Sequence, residues 1–93
     1  MKTEHIDGKE TGKVMLFALS TCGWCRKTKQ FLDDHKVVYD YVYVDQVTGA
    51  ERDRVLAEVK RWNTAMSFPT IVIDDATAIV GFQEQRLREV LRV

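Results

Sequence analysis

At 93 residues the chain is long enough for one small domain with a single core and little surplus stability. A composition of 45% hydrophobic and 30% charged residues excludes a disordered, fibrous or membrane-spanning chain. Fourteen basic residues cancel fourteen acidic ones, which argues against electrostatic capture of nucleic acid.

Met1–Lys13 is polar, shows neither helical nor strand period and lacks the apolar core of a secretion signal. Residues 1–12 therefore read as a flexible tail, and cytoplasmic residence follows as the default expectation. Val14–Leu19 is a continuous apolar run, the mark of a central strand covered on both faces. Thr28, Phe31 and Leu32 follow Cys25 at helical spacing and predict a helix from about Trp24 to His35. Val37–Val44 alternates, with Tyr39, Tyr41 and Tyr43 on one face, and reads as a strand parallel to the first. Thr48-Gly49-Ala50-Glu51 fits a capping box ahead of the apolar stripe Val55, Leu56, Val59 and Trp62. Beyond Phe68-Pro69, the segments Thr70–Asp74 and Thr77–Val80 read as a hairpin turning at Asp74-Asp75. Leu87, Val90 and Leu91 mark a last helix. The order β-α-β-α-β-β-α over residues 13–93 predicts an α/β domain, a four-stranded mixed sheet with three helices on its two faces.

Both cysteines of the chain fall in Cys22-Gly23-Trp24-Cys25, at the joint between the first predicted strand and the first helix. A sulfur at a helix start meets unpaired backbone N–H groups and the positive end of the helix dipole, which favour a thiolate. Arg26 and Lys27 add positive charge nearby. Such settings lower a cysteine pKa from ~8.5 to somewhere in ~3.5–7.5. Cys22 is the expected nucleophile and Cys25, inside the helix and facing the sheet, the expected resolving thiol. Competing readings are two ordinary buried cysteines, or a metal site. Tetrahedral zinc wants four ligands, and the remaining candidates are His5 in the tail and His35, roughly three turns (~15 Å) along the helix. They do not readily converge on the sulfurs, so no metal is expected.

Pro69 is the chain's one proline and directly precedes a strand. A cis Phe68–Pro69 bond there would turn the backbone of Phe68 outward, where an extended thiol-bearing peptide can pair with it; a trans proline would merely start the strand. Trp24 offers exposed apolar area to a substrate, while Trp62 and the tyrosine ladder read as packing. Gly81-Phe82 either receives a substrate carboxylate beside the next helix start or staples that helix.

Taken together, Cys22–Cys25, Phe68-Pro69-Thr70 and Gly81-Phe82 resemble the glutaredoxin family, of thioredoxin fold, over roughly residues 13–93. The resemblance implies thiol–disulfide oxidoreductase activity with Cys22 and Cys25 catalytic. It adds Phe68 and Pro69 as substrate contacts, to which Thr21, Trp24, Gly81 and Phe82 are joined as candidates. It also implies a monomer without a tightly bound cofactor, reduced by glutathione, another low-molecular-weight thiol or a thioredoxin-reductase-type flavoenzyme. Leu19 stands where ordinary glutaredoxins tend to carry lysine, and Gly81-Phe82-Gln83-Glu84-Gln85 lacks their second glycine. Both departures count against tight glutathione binding. Gly81-Phe82 followed by Leu87 is more similar to the redoxins that serve ribonucleotide reductase, though their Pro-Asp pair reads Glu84-Gln85 here. The alternative the resemblance allows is a dimer bridging an iron–sulfur cluster through Cys22 of each chain.

Overall fold

The apolar run becomes the middle of the sheet. The computed structural model describes residues 1–93, in the order β1 (Glu4–Ile6), β2 (Val14–Ala18), α1 (Gly23–Asp34), β3 (Tyr39–Tyr43), α2 (Gly49–Trp62), β4 (Thr70–Ile73), β5 (Thr77–Val80) and α3 (Glu84–Leu91). The strands lie side by side as β1-β3-β2-β4-β5. β2 and β3 run parallel, joined through α1, and the other neighbours are antiparallel. A parallel pair needs a crossover, and α1 supplies it. This is the mixed α/β, thioredoxin-like architecture with three helices. No helix is long and apolar enough to cross a membrane.

Alternation along the central strands sorts the core onto two faces. Val14, Leu16 and Ala18 of β2 join Ile71 and Ile73 of β4 under α1 and α3, with Phe31, Leu32, Leu87 and Leu91 closing over them. Phe17 and Val72 point the other way, onto Val55 and Val59 of α2. Each side chain of this size buried from water contributes about 1.5–3 kcal/mol. Two covered faces explain why β2 and β4 carry no polar alternation. Trp62 is half-buried against the second cluster and donates its Nε1–H to Glu58 at 2.9 Å. The tyrosines form a contact ladder, Tyr39 to Tyr41 at 6.0 Å and Tyr41 to Tyr43 at 5.3 Å between ring centres. Tyr39 is buried and its hydroxyl donates to Asp33. Trp62 and the ladder are packing, as their spacing implied.

Two expectations need correction. The sheet has five strands rather than four, because the segment expected to be a loose tail supplies β1 at the edge. Its pairing is by main chain, which side-chain patterning does not display, with Ile6 packed on the core and His5 bonded to Asp40. Glu4, His5 and Ile6 pair with Tyr41, Asp40 and Tyr39, and farther on Lys9 exchanges hydrogen bonds with Lys36 and Val38. Gly8 passes so close that a Cβ there would lie 2.4 Å from the Lys36 carbonyl oxygen. The capping box also fails. Thr48 is the N-cap of α2, but its side chain makes no capping bond. Gly49, the first residue of the helix, adopts φ +60°, outside the helical range that a capping box assumes for its first turn.

Candidate functional site

β2 ends at Ala18, and a three-residue connection, Leu19–Thr21, delivers the chain to Cys22, the N-cap of α1. Cys22 has extended backbone angles (φ −91°, ψ 121°), which aim its side chain back over the first turn. Its Sγ accepts the backbone N–H of Cys25 at 3.3 Å, so a sulfur performs the capping that a serine or aspartate oxygen usually performs. No acidic residue occupies the first turn of α1. Burial works against the Cys22 anion. Hydrogen bonds from the Cys25 thiol and from the N–H groups of Cys25 and Trp24, with the Arg26 guanidinium, outweigh it and hold the pKa below the ordinary thiol value. Of the two cations flagged in the sequence, Arg26 is the one that acts on the sulfur; Lys27 instead places its ammonium 5.1 Å from the centre of the Trp24 ring.

Cys25 is the opposite case. It is 1% exposed within the larger core cluster, and burial pushes its thiol up to about 12, with the neighbouring Cys22 hydrogen bond adding to the rise. The Leu19 N–H donates to its Sγ at 3.4 Å and pulls the other way. The two sulfurs are unbonded, a dithiol with one partly exposed and one hidden member.

The remaining candidates are linked to one another and to the core cluster that holds Cys25. Phe68–Pro69 is cis. Antiparallel pairing of Phe17 with Thr70 brings the residues before β4 alongside those after β2. Phe68, Phe82 and Cys22 all lean on the same core cluster. The Gly81 N–H donates to the Pro69 carbonyl at 2.9 Å, and Gly81 sits at φ +79°, where a side chain would be strained. Phe82 therefore returns to the site, its ring 6.3 Å from Trp24 and edge-on to Phe31 at 6.0 Å. Both ring contacts are to α1 rather than to the following helix it was expected to staple, and the one with Trp24 joins it to the surface beside the helix start. Trp24 is 59% exposed and Thr21 is exposed too. An open groove lined by Gly23, Trp24, Arg26, Lys27 and Gln30 runs beside the helix start. The histidines lie apart from it: His5 sits between Asp40 (2.6 Å) and Asp7 (3.0 Å), and His35 stacks on Phe31.

One contact of the site had no counterpart in the sequence reading. Asp45, in the single 3-10 turn Val44–Gln46 after β3, accepts both the N–H and the hydroxyl of Ser20. The signal available for it was position: the carboxyl ends of parallel strands are where sites assemble.

The glutaredoxin family model matches residues 14–77, more than half of the chain. The chain belongs to the glutaredoxin family. A glutaredoxin from Methanosarcina mazei Go1 is 47% identical, with a TM-score of 0.90 covering all of this chain and 90% of that one. Methanoredoxin from Methanosarcina acetivorans is 40% identical, with a TM-score of 0.92 covering all of this chain and 97% of the other. The Gene 56 protein of Mycobacterium phage D29 is 32% identical over 78 residues, 84% of this chain and 81% of its own. At the level of the family this glutaredoxin is a thiol–disulfide oxidoreductase of thioredoxin fold with a CxxC cysteine pair, and glutaredoxins act on disulfide substrates.

Proposed function

We propose that this glutaredoxin reduces protein or mixed disulfides by dithiol exchange at Cys22-Gly23-Trp24-Cys25. The Cys22 thiolate attacks one substrate sulfur; the Cys22–substrate S–S bond forms, the substrate disulfide breaks and one thiolate leaves. Cys25 then yields its proton to solvent and attacks Cys22 Sγ, expelling the second substrate thiolate. The protein is left with a Cys22–Cys25 disulfide, and the substrate has gained two electrons. A low-pKa attacker with a hidden, protonated partner is the division of labour this exchange requires.

The observation that carries the reading is the hydrogen bond from the Cys25 N–H to Cys22 Sγ at the start of a helix free of first-turn acids. It stabilises charge on one sulfur while burial suppresses charge on the other. Thr21, Trp24, Phe68, Pro69, Gly81 and Phe82 supply the substrate contacts in this reading, which the Trp24–Phe82 ring contact and the Gly81 N–H on the Pro69 carbonyl support. Glutathione, another low-molecular-weight thiol, or a thioredoxin-reductase-type flavoenzyme returns the electrons; disulfide-bearing proteins, ribonucleotide reductase among them, receive them. The test is Cys25→Ser on a protein disulfide. Its expected outcome is a trapped mixed disulfide on Cys22 and loss of dithiol turnover. Full turnover with serine at position 25 would overturn the mechanism. Reduction of the oxidised protein, measured side by side with glutathione and with thioredoxin reductase plus NADPH, identifies the donor.

A further inference from the structure

Asp45 lies outside the cysteine motif, yet it grips the chain that presents it. Its carboxylate accepts the Ser20 N–H at 2.9 Å and the Ser20 hydroxyl. Ser20 is the middle residue of the Leu19–Thr21 connection, and Leu19 beside it addresses both sulfur residues with its own main chain. The Leu19 N–H donates to Cys25 Sγ at 3.4 Å, and the Leu19 carbonyl accepts the Cys22 N–H at 3.2 Å. One carboxylate thus fixes the residue next to the peptide groups that register Cys22 against Cys25.

We propose that Asp45 is a positioning residue for the resolving step of the exchange, holding the 19–21 connection so that Cys25 Sγ stays aligned behind Cys22 once a mixed disulfide has formed. The proposal rests on the dithiol reading above. The first step leaves Cys22 as a neutral disulfide sulfur, so the charge-assisted part of the bond from the Cys25 N–H disappears when alignment is most needed. The Leu19 N–H remains on Cys25, and it favours the thiolate that must develop there. Asp45 also has an opposing influence, since its negative charge disfavours ionisation of Cys25. Exposed to solvent, that charge is screened, whereas the Leu19 contact is direct. The grip therefore outweighs the field. This ordering has a signature: removing the charge while keeping the grip leaves resolution intact or faster, and removing the grip slows it.

The experiment follows the reduced protein mixed with a symmetrical aryl disulfide whose thiolate is coloured. Attack by Cys22 releases one aryl thiolate, and resolution by Cys25 releases the second; the disulfide concentration is raised until the bimolecular attack outpaces the intramolecular resolution, so that the two appear as phases of equal amplitude. Asp45→Ala is expected to slow the second phase by roughly tenfold or more, the scale of a misaligned reacting group. The first phase stays within about threefold of wild type, on the scale of one hydrogen bond. Asp45→Asn, which keeps an acceptor and a donor for Ser20, restores the second phase to the wild-type rate or above. Ser20→Ala deletes one of the two bonds and is expected to slow the second phase by about threefold; it carries the test if Asp45→Ala does not fold, and an unchanged second phase there overturns the role. The role is also overturned by an unaffected second phase in Asp45→Ala, by equal slowing of both phases, or by Asp45→Asn slowed as much as Asp45→Ala. A wild type that releases only one aryl thiolate per protein removes the dithiol reading and this role with it. Two wild-type phases with an unaffected Asp45→Ala remove this role alone.

Discussion

The first turns of α1 and α2 face the same physical problem, unpaired N–H groups and a partial positive charge, and answer it differently. α2 has a conventional pair for the purpose, Thr48 at the N-cap and Glu51 in the first turn. Thr48 makes no capping bond ahead of Gly49 at φ +60°, and the Glu51 carboxylate is drawn to the Lys2 N–H and to Arg54. That helix start thus ties down the N-terminal segment. α1 offers a poorer capping group, a sulfur, and no acid to compete with it. Its positive end is left to one anion, Cys22 Sγ. The difference teaches that an activated thiol needs an absence as much as a presence: a carboxylate at position 23 would compete for the N–H groups and the Arg26 charge that the sulfur now holds.

Several changes would break or sharpen this contrast. The largest effect is expected from Cys22→Ser, because an alcohol is not ionised near neutrality. Exchange with a coloured disulfide should fall by about a thousandfold or more, while Thr48→Ser at the other helix start leaves it unchanged. Next is the sheet-facing side of the same turn. The Cys25 thiol titrates at about 12 when folded, against ~8.5 unfolded, so the unfolded chain releases this proton first. Stability of the reduced protein is therefore fully held below pH ~8.5 and lost as pH rises toward 12, by up to about 1.4 kcal/mol per unit. Urea unfolding between pH 8 and 9.5, below the range where the buried Tyr39 hydroxyl adds an alkaline loss of its own, should show this loss in wild type and not in Cys25→Ala.

Gly49→Ala should destabilise the protein by about 1–2 kcal/mol in the same assay, since a side chain is placed at φ +60°. Gly23→Asp supplies α1 with the acid it lacks, within reach of Arg26. It should move the pH at which Cys22 ionises up by about one pH unit and cut iodoacetamide alkylation at pH 6 by up to roughly tenfold; an unshifted pH–rate curve would remove the electrostatic account of α1. The smallest effect is expected for Thr48→Ala. N-cap threonines ordinarily cost about 1 kcal/mol on truncation, and this one, making no capping bond, should cost only a few tenths.

Most of the framework could be read from spacing. The Val14–Leu19 run, the helical repeat Thr28-Phe31-Leu32 and the tyrosine alternation all fell where the core needs them, because apolar periodicity and burial are two views of one quantity. The cysteine pair was legible for a similar reason, its placement at a strand-to-helix joint. Glu4–Ile6 was not, since a three-residue edge strand with a single half-buried apolar side chain, Ile6, is too short to show a period. Thr48 misled because a capping box assumes helical angles in the first turn, and Gly49 departs from them.

Local order along the chain was thus enough to establish two halves of a site, a sulfur at a helix start and a proline before a strand, and to name the family they resemble. Their meeting was another matter. Phe82 reaches Trp24 through a turn pinned to the Pro69 carbonyl, and Asp45 reaches Ser20 across a parallel crossover, 25 positions along the chain. Such contacts are made by sheet register, which sums every strand pairing at once, so no single segment carries them. Chemistry that depends on one residue's neighbours in sequence is written there; chemistry that depends on which strand ends lie abreast is settled when the sheet closes.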